Sequence, residues 1–89
     1  MIETRVMIRN KLGLHARAAV KLVNLANRFV SAVRIEKDGD EIDGKSILGI
    51  LTLAATQGSE ITLKVEGRDE SAATQSLVDL IDDKFQEDE

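Results

Sequence analysis

The stretch Asn10-Lys11-Leu12-Gly13-Leu14-His15-Ala16-Arg17-Ala18-Ala19 marks the point where the pattern of the chain changes period. Ahead of it, Ile2, Val6 and Ile8 recur on one side of an extended segment with Glu3, Arg5 and Arg9 on the other, the alternation of a half-buried strand. Beyond it, Ala19, Leu22, Val23 and Ala26 form the apolar stripe of a helix expected over about Ala16 to Arg28. Gly13 falls in the turn between them, where a positive φ costs glycine nothing. The chain's single histidine therefore stands at the start of a helix, two residues before Arg17.

The first N–H groups of a helix have no intrahelical acceptor and lie at the positive end of its dipole. A phosphoryl group beside them is favoured. With His15 at or near the N-cap, the backbone around Ala16 and Arg17 is placed to hold phosphoryl oxygens, and the Arg17 guanidinium to pair with the same charge. Those positive surroundings are expected to disfavour imidazolium, so that one ring nitrogen can act as a nucleophile near neutral pH. The chemistry expected there is a phosphohistidine. Position alone also allows the plainer reading of a polar residue at a helix boundary. A hydrolytic triad is disfavoured, because no acidic residue lies near His15 in the sequence to orient it.

Further along, Val33 and Ile35 mark a second strand, and Asp38-Gly39 is a two-residue hairpin signal leading to a third strand around Ile42. A short helix begins at Ser46, whose hydroxyl is expected to cap the N–H of Leu48 or Gly49. Gly58 closes that region. Ile61, Leu63 and Val65 alternate with Thr62, Lys64 and Glu66 in a fourth strand ended by Gly67. A last helix, about Asp69 to Phe85, carries Ala73, Leu77, Leu80 and Ile81 at helical spacing, with Asp69 and Glu70 at its favourable N-terminal end. Gln86 to Glu89 read as a solvated acidic tail. The order βαββαβα over residues 1–89 predicts one α+β domain, a four-stranded sheet covered on one face by helices.

Composition removes several function classes. With no cysteine and one histidine, the chain offers neither a disulfide nor a credible metal site, and no cofactor is expected. No apolar run is long enough to span a bilayer, and Met1-Ile2-Glu3-Thr4-Arg5 lacks the features of a secretory signal, so a cytoplasmic location is expected. A net charge of −4, with Phe29 and Phe85 the only aromatics, disfavours nucleic-acid binding.

A protein partner is a better expectation. Arg17, Lys21, Asn24 and Arg28 share one flank of the first helix, although a solvated face would look the same. The second helix is apolar nearly all round. If Ile50 and Leu53 face the core, Ile47, Leu48 and Leu51 are left outside unless neighbouring loops cover them. Leu14, Val20, Lys21 and Asn24 join those three as the expected docking residues, suited to an acidic, partly apolar partner.

Gly13-Leu14-His15-Ala16-Arg17, followed by Gly44-Lys45-Ser46-Ile47-Leu48-Gly49, resembles the histidine-containing phosphocarrier family, HPr, of the bacterial sugar phosphotransferase system. The resemblance covers nearly the whole chain. It implies an open-faced β-sandwich with an antiparallel four-stranded sheet and three helices on one face. It also implies a covalent phosphoryl carrier rather than an enzyme, with His15 loaded by enzyme I and unloaded by the enzyme IIA domains of sugar permeases. Ser46 stands where many relatives are phosphorylated by HPr kinase/phosphorylase to regulate carbon use. The family often has proline where this chain has Ala18, and alanine preserves the helix, so the departure bears on subfamily rather than chemistry. Two alternatives remain within the family: a nitrogen-branch carrier, and a mainly regulatory paralogue whose Ser46-phosphorylated form binds a transcription factor. His15 argues against the latter, since such paralogues lack the histidine. Outside the family stands a small αβ interaction module in which His15 is incidental. A shuttle that presents one face to successive partners is expected to be a monomer.

Overall fold

Alternation and helical period resolve into seven main elements in the computed structural model, which describes residues 1–86. They are β1 (Ile2–Met7), α1 (Ala16–Ala26), β2 (Ala32–Lys37), β3 (Asp40–Asp43), α2 (Ile47–Thr52), β4 (Glu60–Glu66) and α3 (Glu70–Asp82), followed by a short 3-10 turn at Lys84–Gln86. The expected βαββαβα order is observed.

The sheet runs β1-β4-β2-β3 with every neighbouring pair antiparallel. β4 pairs with β1 through Ile2↔Val65 and Val6↔Ile61, and with β2 through Ile35↔Leu63. Since β1 and β2 both oppose β4, they run parallel to each other, and α1 is the crossover between them. Val6, Val33, Ile35, Ile61, Leu63 and Val65 are buried on the helix-covered face, where they meet Leu22, Ile50, Leu77 and Ile81. At the β2–β3 hairpin, Asp38 and Gly39 both have positive φ (53° and 89°), as a type I′ turn requires.

The opposite face carries charge. Lys64 Nζ lies 2.8 Å from Glu36 and 2.9 Å from Glu41, and Arg34 approaches Glu41 at 3.4 Å. Hydrogen bonds to Glu36 and then Glu41 hold the Lys64 ammonium above its usual range, and the bond from Lys64 holds Glu41 below its own. These exposed pairs contribute little to stability individually. They keep a sheet face without a partner layer well hydrated.

Two boundaries differ from expectation. α1 stops at Ala26, short of Arg28, because Arg28 and Phe29 turn back with N–H bonds to Leu25 and Ala26 at 3.0 and 3.2 Å. α3 ends at Asp82 rather than Phe85. Lys84, Phe85 and Gln86 then take positive φ of 56°, 56° and 63°, a reversal that drives Phe85 fully into the core. Leu80 packs only partly against that core. Finally, Asp69 does occupy the N-cap of α3, but its carboxylate turns away from the helix. It accepts from the Ser31 hydroxyl and from the Val30 and Ser31 N–H groups, each N–H at 3.0 Å. The Ser31 bond above all holds this carboxyl below its usual range. Of the expected acidic tail, Gln86 belongs to the terminal turn and 87–89 lie outside the described residues.

Candidate functional site

His15 is the N-cap of α1, with extended φ −78° and ψ 179°, and its side chain makes no capping bond to the helix. The helix ladder opens with the Ala19 N–H donating to the His15 carbonyl at 2.9 Å. The N–H groups of Ala16, Arg17 and Ala18 precede that bond and have no acceptor within the helix. Ala16 and Arg17 are exposed, His15 is half-buried and Ala18 is fully buried. His15, Ala16 and Arg17 thus stand on one turn at the start of α1, with Ala16 and Arg17 exposed.

The loop that presents this turn is tied on both sides. Asn10 Nδ2 donates to the Gly13 carbonyl at 2.7 Å and the Gly13 N–H returns to the Asn10 carbonyl at 3.2 Å. The Leu14 N–H donates to the Ala55 carbonyl at 2.9 Å. Gly13 has φ +68°, and a Cβ there would lie 2.5 Å from the Ala55 oxygen, so only glycine fits.

At the start of α2, Ser46 accepts from the Gly49 N–H at 3.0 Å, one of the two capping bonds expected. Ile50 and Leu53 are buried and Ile47, Leu48 and Leu51 exposed, Leu48 by 75 %. α2 packs beside α1, where Val20 and Asn24 are also exposed. Two expected docking residues are less exposed than the rest. Leu14 is only 4 % exposed, because an apolar residue just before an N-cap folds back over the first helical turn. Lys21 is half-buried and its Nζ donates to the Phe85 carbonyl at 2.6 Å, so it secures the chain terminus to α1. Leu12, 62 % exposed on the loop ahead of His15, was not anticipated, although an apolar residue in so polar a loop is a signal. Among the described residues no cluster of histidine, cysteine or carboxylates could hold a metal ion, and no helix is long and apolar enough to cross a membrane.

Comparison with known proteins identifies the family. The family model for the PTS HPr component phosphorylation site matches residues 2–83. The chain is 47 % identical to the phosphocarrier protein HPr of Cupriavidus necator over the full length of both. It is 46 % identical to the HPr-like protein Crh of Halalkalibacterium halodurans, covering 92 % of this chain and 98 % of that one. A crystal structure of HPr from Thermoanaerobacter tengcongensis superposes with a TM-score of 0.96 at 45 % identity, covering all of both chains. An HPr dimer from the same organism matches with a TM-score of 0.79 at 46 % identity, over 98 % of this chain and 100 % of that one. With its length matched by the family model and its fold by a solved member, this chain belongs to the HPr phosphocarrier family of the phosphotransferase system.

Proposed function

We propose that His15 accepts a phosphoryl group from phospho-enzyme I and passes it to the enzyme IIA domains of sugar permeases. The open first turn of α1 is the observation that carries this reading. An unprotonated ring nitrogen of His15 attacks phosphorus as the P–N bond to the donor histidine breaks, and the second transfer repeats the exchange with His15 as leaving group. Such in-line transfers pass through a loose transition state, catalysed mainly by positioning and charge stabilisation. The Ala16 and Arg17 N–H groups and the Arg17 guanidinium supply that charge here. A few exposed donors hold the phosphoryl without caging it, which suits a group that must leave again.

The exposed ridge of Ile47, Leu48 and Leu51, with Val20 and Asn24 of the adjacent helix, is the docking face. Phosphorylation of Ser46 by HPr kinase/phosphorylase would place nearly two negative charges beside that ridge and repel an acidic partner. The protein acts in the cytoplasm as a monomer and is a carrier, not an enzyme. The resemblance to an HPr-like protein favours a second, regulatory reading through Ser46, and His15 favours carriage. Reconstitution with phosphoenolpyruvate, enzyme I and a IIA domain, alongside a second incubation with ATP and HPr kinase/phosphorylase, decides between them. Phosphorylation of the IIA domain should depend on this chain, and a IIA domain that stays unlabelled while Ser46 is modified would establish the regulatory reading.

A further inference from the structure

Ala54, directly after the C-cap of α2, has φ +52°, in the left-handed region that a residue with a Cβ enters only at a cost. Its side chain is exposed, so no burial of the methyl offsets that cost. A strained residue persists where its surroundings over-determine it, and here the surroundings are the loop of His15. The Ala55 carbonyl that follows accepts from the Leu14 N–H at 2.9 Å, one residue before the N-cap. Along the same seam the Gln57 side chain donates to the Arg9 carbonyl at 3.1 Å and the Gly58 N–H to the Ile8 carbonyl at 2.8 Å. The Ile8 N–H donates to the Ser59 carbonyl at 2.8 Å. The fit is tight enough that a Cβ on Gly13 would collide with the Ala55 oxygen and sit 2.9 Å from the Thr56 Cα.

We infer that the exit of α2 is the template on which the His15 loop is set, with Ala54 and Ala55 as positioning residues for the phosphoryl acceptor. The left-handed turn at Ala54 aims the Ala55 carbonyl at Leu14. That bond, with Gly13 pressed on the same oxygen, fixes where the N-cap of α1 stands. None of these residues touches the phosphoryl group. This inference rests on the reading of His15 as the acceptor.

Ala54→Val tests it, because a β-branched side chain resists positive φ while an exposed site leaves the core untouched. Ala54→Gly is the conservative partner that keeps the turn accessible. Single-turnover uptake from phospho-enzyme I should fall roughly tenfold to 100-fold in Ala54→Val, as a small misplacement of the nucleophile does, and recover in Ala54→Gly. In parallel, proton–nitrogen NMR of the unphosphorylated proteins should show the Leu14 amide and His15 ring resonances displaced in Ala54→Val and restored in Ala54→Gly, with the remaining spectrum folded. Uptake and resonances of Ala54→Val both matching the parent would overturn the inference. If the parent itself takes no phosphoryl, the carrier reading has failed, and the NMR comparison alone still decides whether Ala54 sets the His15 loop.

Discussion

The N-termini of α1 and α2 are built to opposite ends. At α2, the Ser46 hydroxyl folds back on the Gly49 N–H and satisfies one of the orphan donors, so the end is closed by the chain itself. At α1, His15 stands in the same position without a side-chain capping bond, and the N–H groups of Ala16, Arg17 and Ala18 have no acceptor within the helix. The N-terminus of α3 is a third solution, in which the Asp69 carboxylate leaves its own helix to secure the Val30–Ser31 turn. One physical resource, the positive end of a helix, serves local stability at α2 and is kept open at α1.

The largest effect that could break this contrast is expected at Arg17. Arg17→Ala should slow phosphoryl uptake roughly 100-fold, the loss typical of a group that meets developing charge, measured as a single turnover from phospho-enzyme I. Arg17→Lys should recover only part, since an ammonium keeps the charge but not the two-pronged geometry. Parent-like uptake in Arg17→Ala would mean that the open helix end works alone. Next comes Ser46→Asp, for which uptake should fall about tenfold through repulsion at the docking face with the melting temperature nearly unchanged. Equal uptake in parent and variant would separate Ser46 from the carrier surface. Ser46→Ala should instead cost about 1 kcal/mol of stability in a denaturant titration, as loss of a cap does, and leave His15 uptake unaffected.

The smallest effect is at Asp69, and it depends on pH. Its folded-state pKa lies below the unfolded value, so its stabilisation is present above the unfolded value and is lost as pH falls through the folded one. Asp69→Asn should therefore melt a few degrees lower near neutrality, with the two melting curves converging in acid. A gap that stays constant with pH would show that the bonds to Ser31 and Val30 do not depend on the charge.

Most of this architecture was legible in the chain. The alternation of Ile61, Leu63 and Val65, the Asp38-Gly39 turn and the stripe from Ala19 to Ala26 are local patterns, and each became the element it implied. His15 and Ser46 were legible because helix starts have local signatures. What local pattern could not show was long-range contact. Phe85 continues a helical spacing from Leu77 and Ile81, yet it reaches the core by a left-handed reversal for which Lys84-Phe85-Gln86 offers no glycine or asparagine as a signal. Lys21 resembled its exposed neighbours on α1 until the Phe85 carbonyl came within 2.6 Å of it. Leu14 looked available for docking because its burial depends on packing over the first turn of the helix. The tie between Ala55 and Leu14 joins residues far apart in the sequence and has no sequence signature at all.

The central claim is that the uncapped start of α1 is a phosphoryl site with His15 as its nucleophile. Incubation of the parent and His15→Ala with phosphoenolpyruvate and enzyme I, followed by intact mass before and after brief acid treatment, tests it most directly. The account predicts one acid-labile phosphoryl group on the parent and none on His15→Ala. An unlabelled parent, or equal labelling of both proteins, would contradict it.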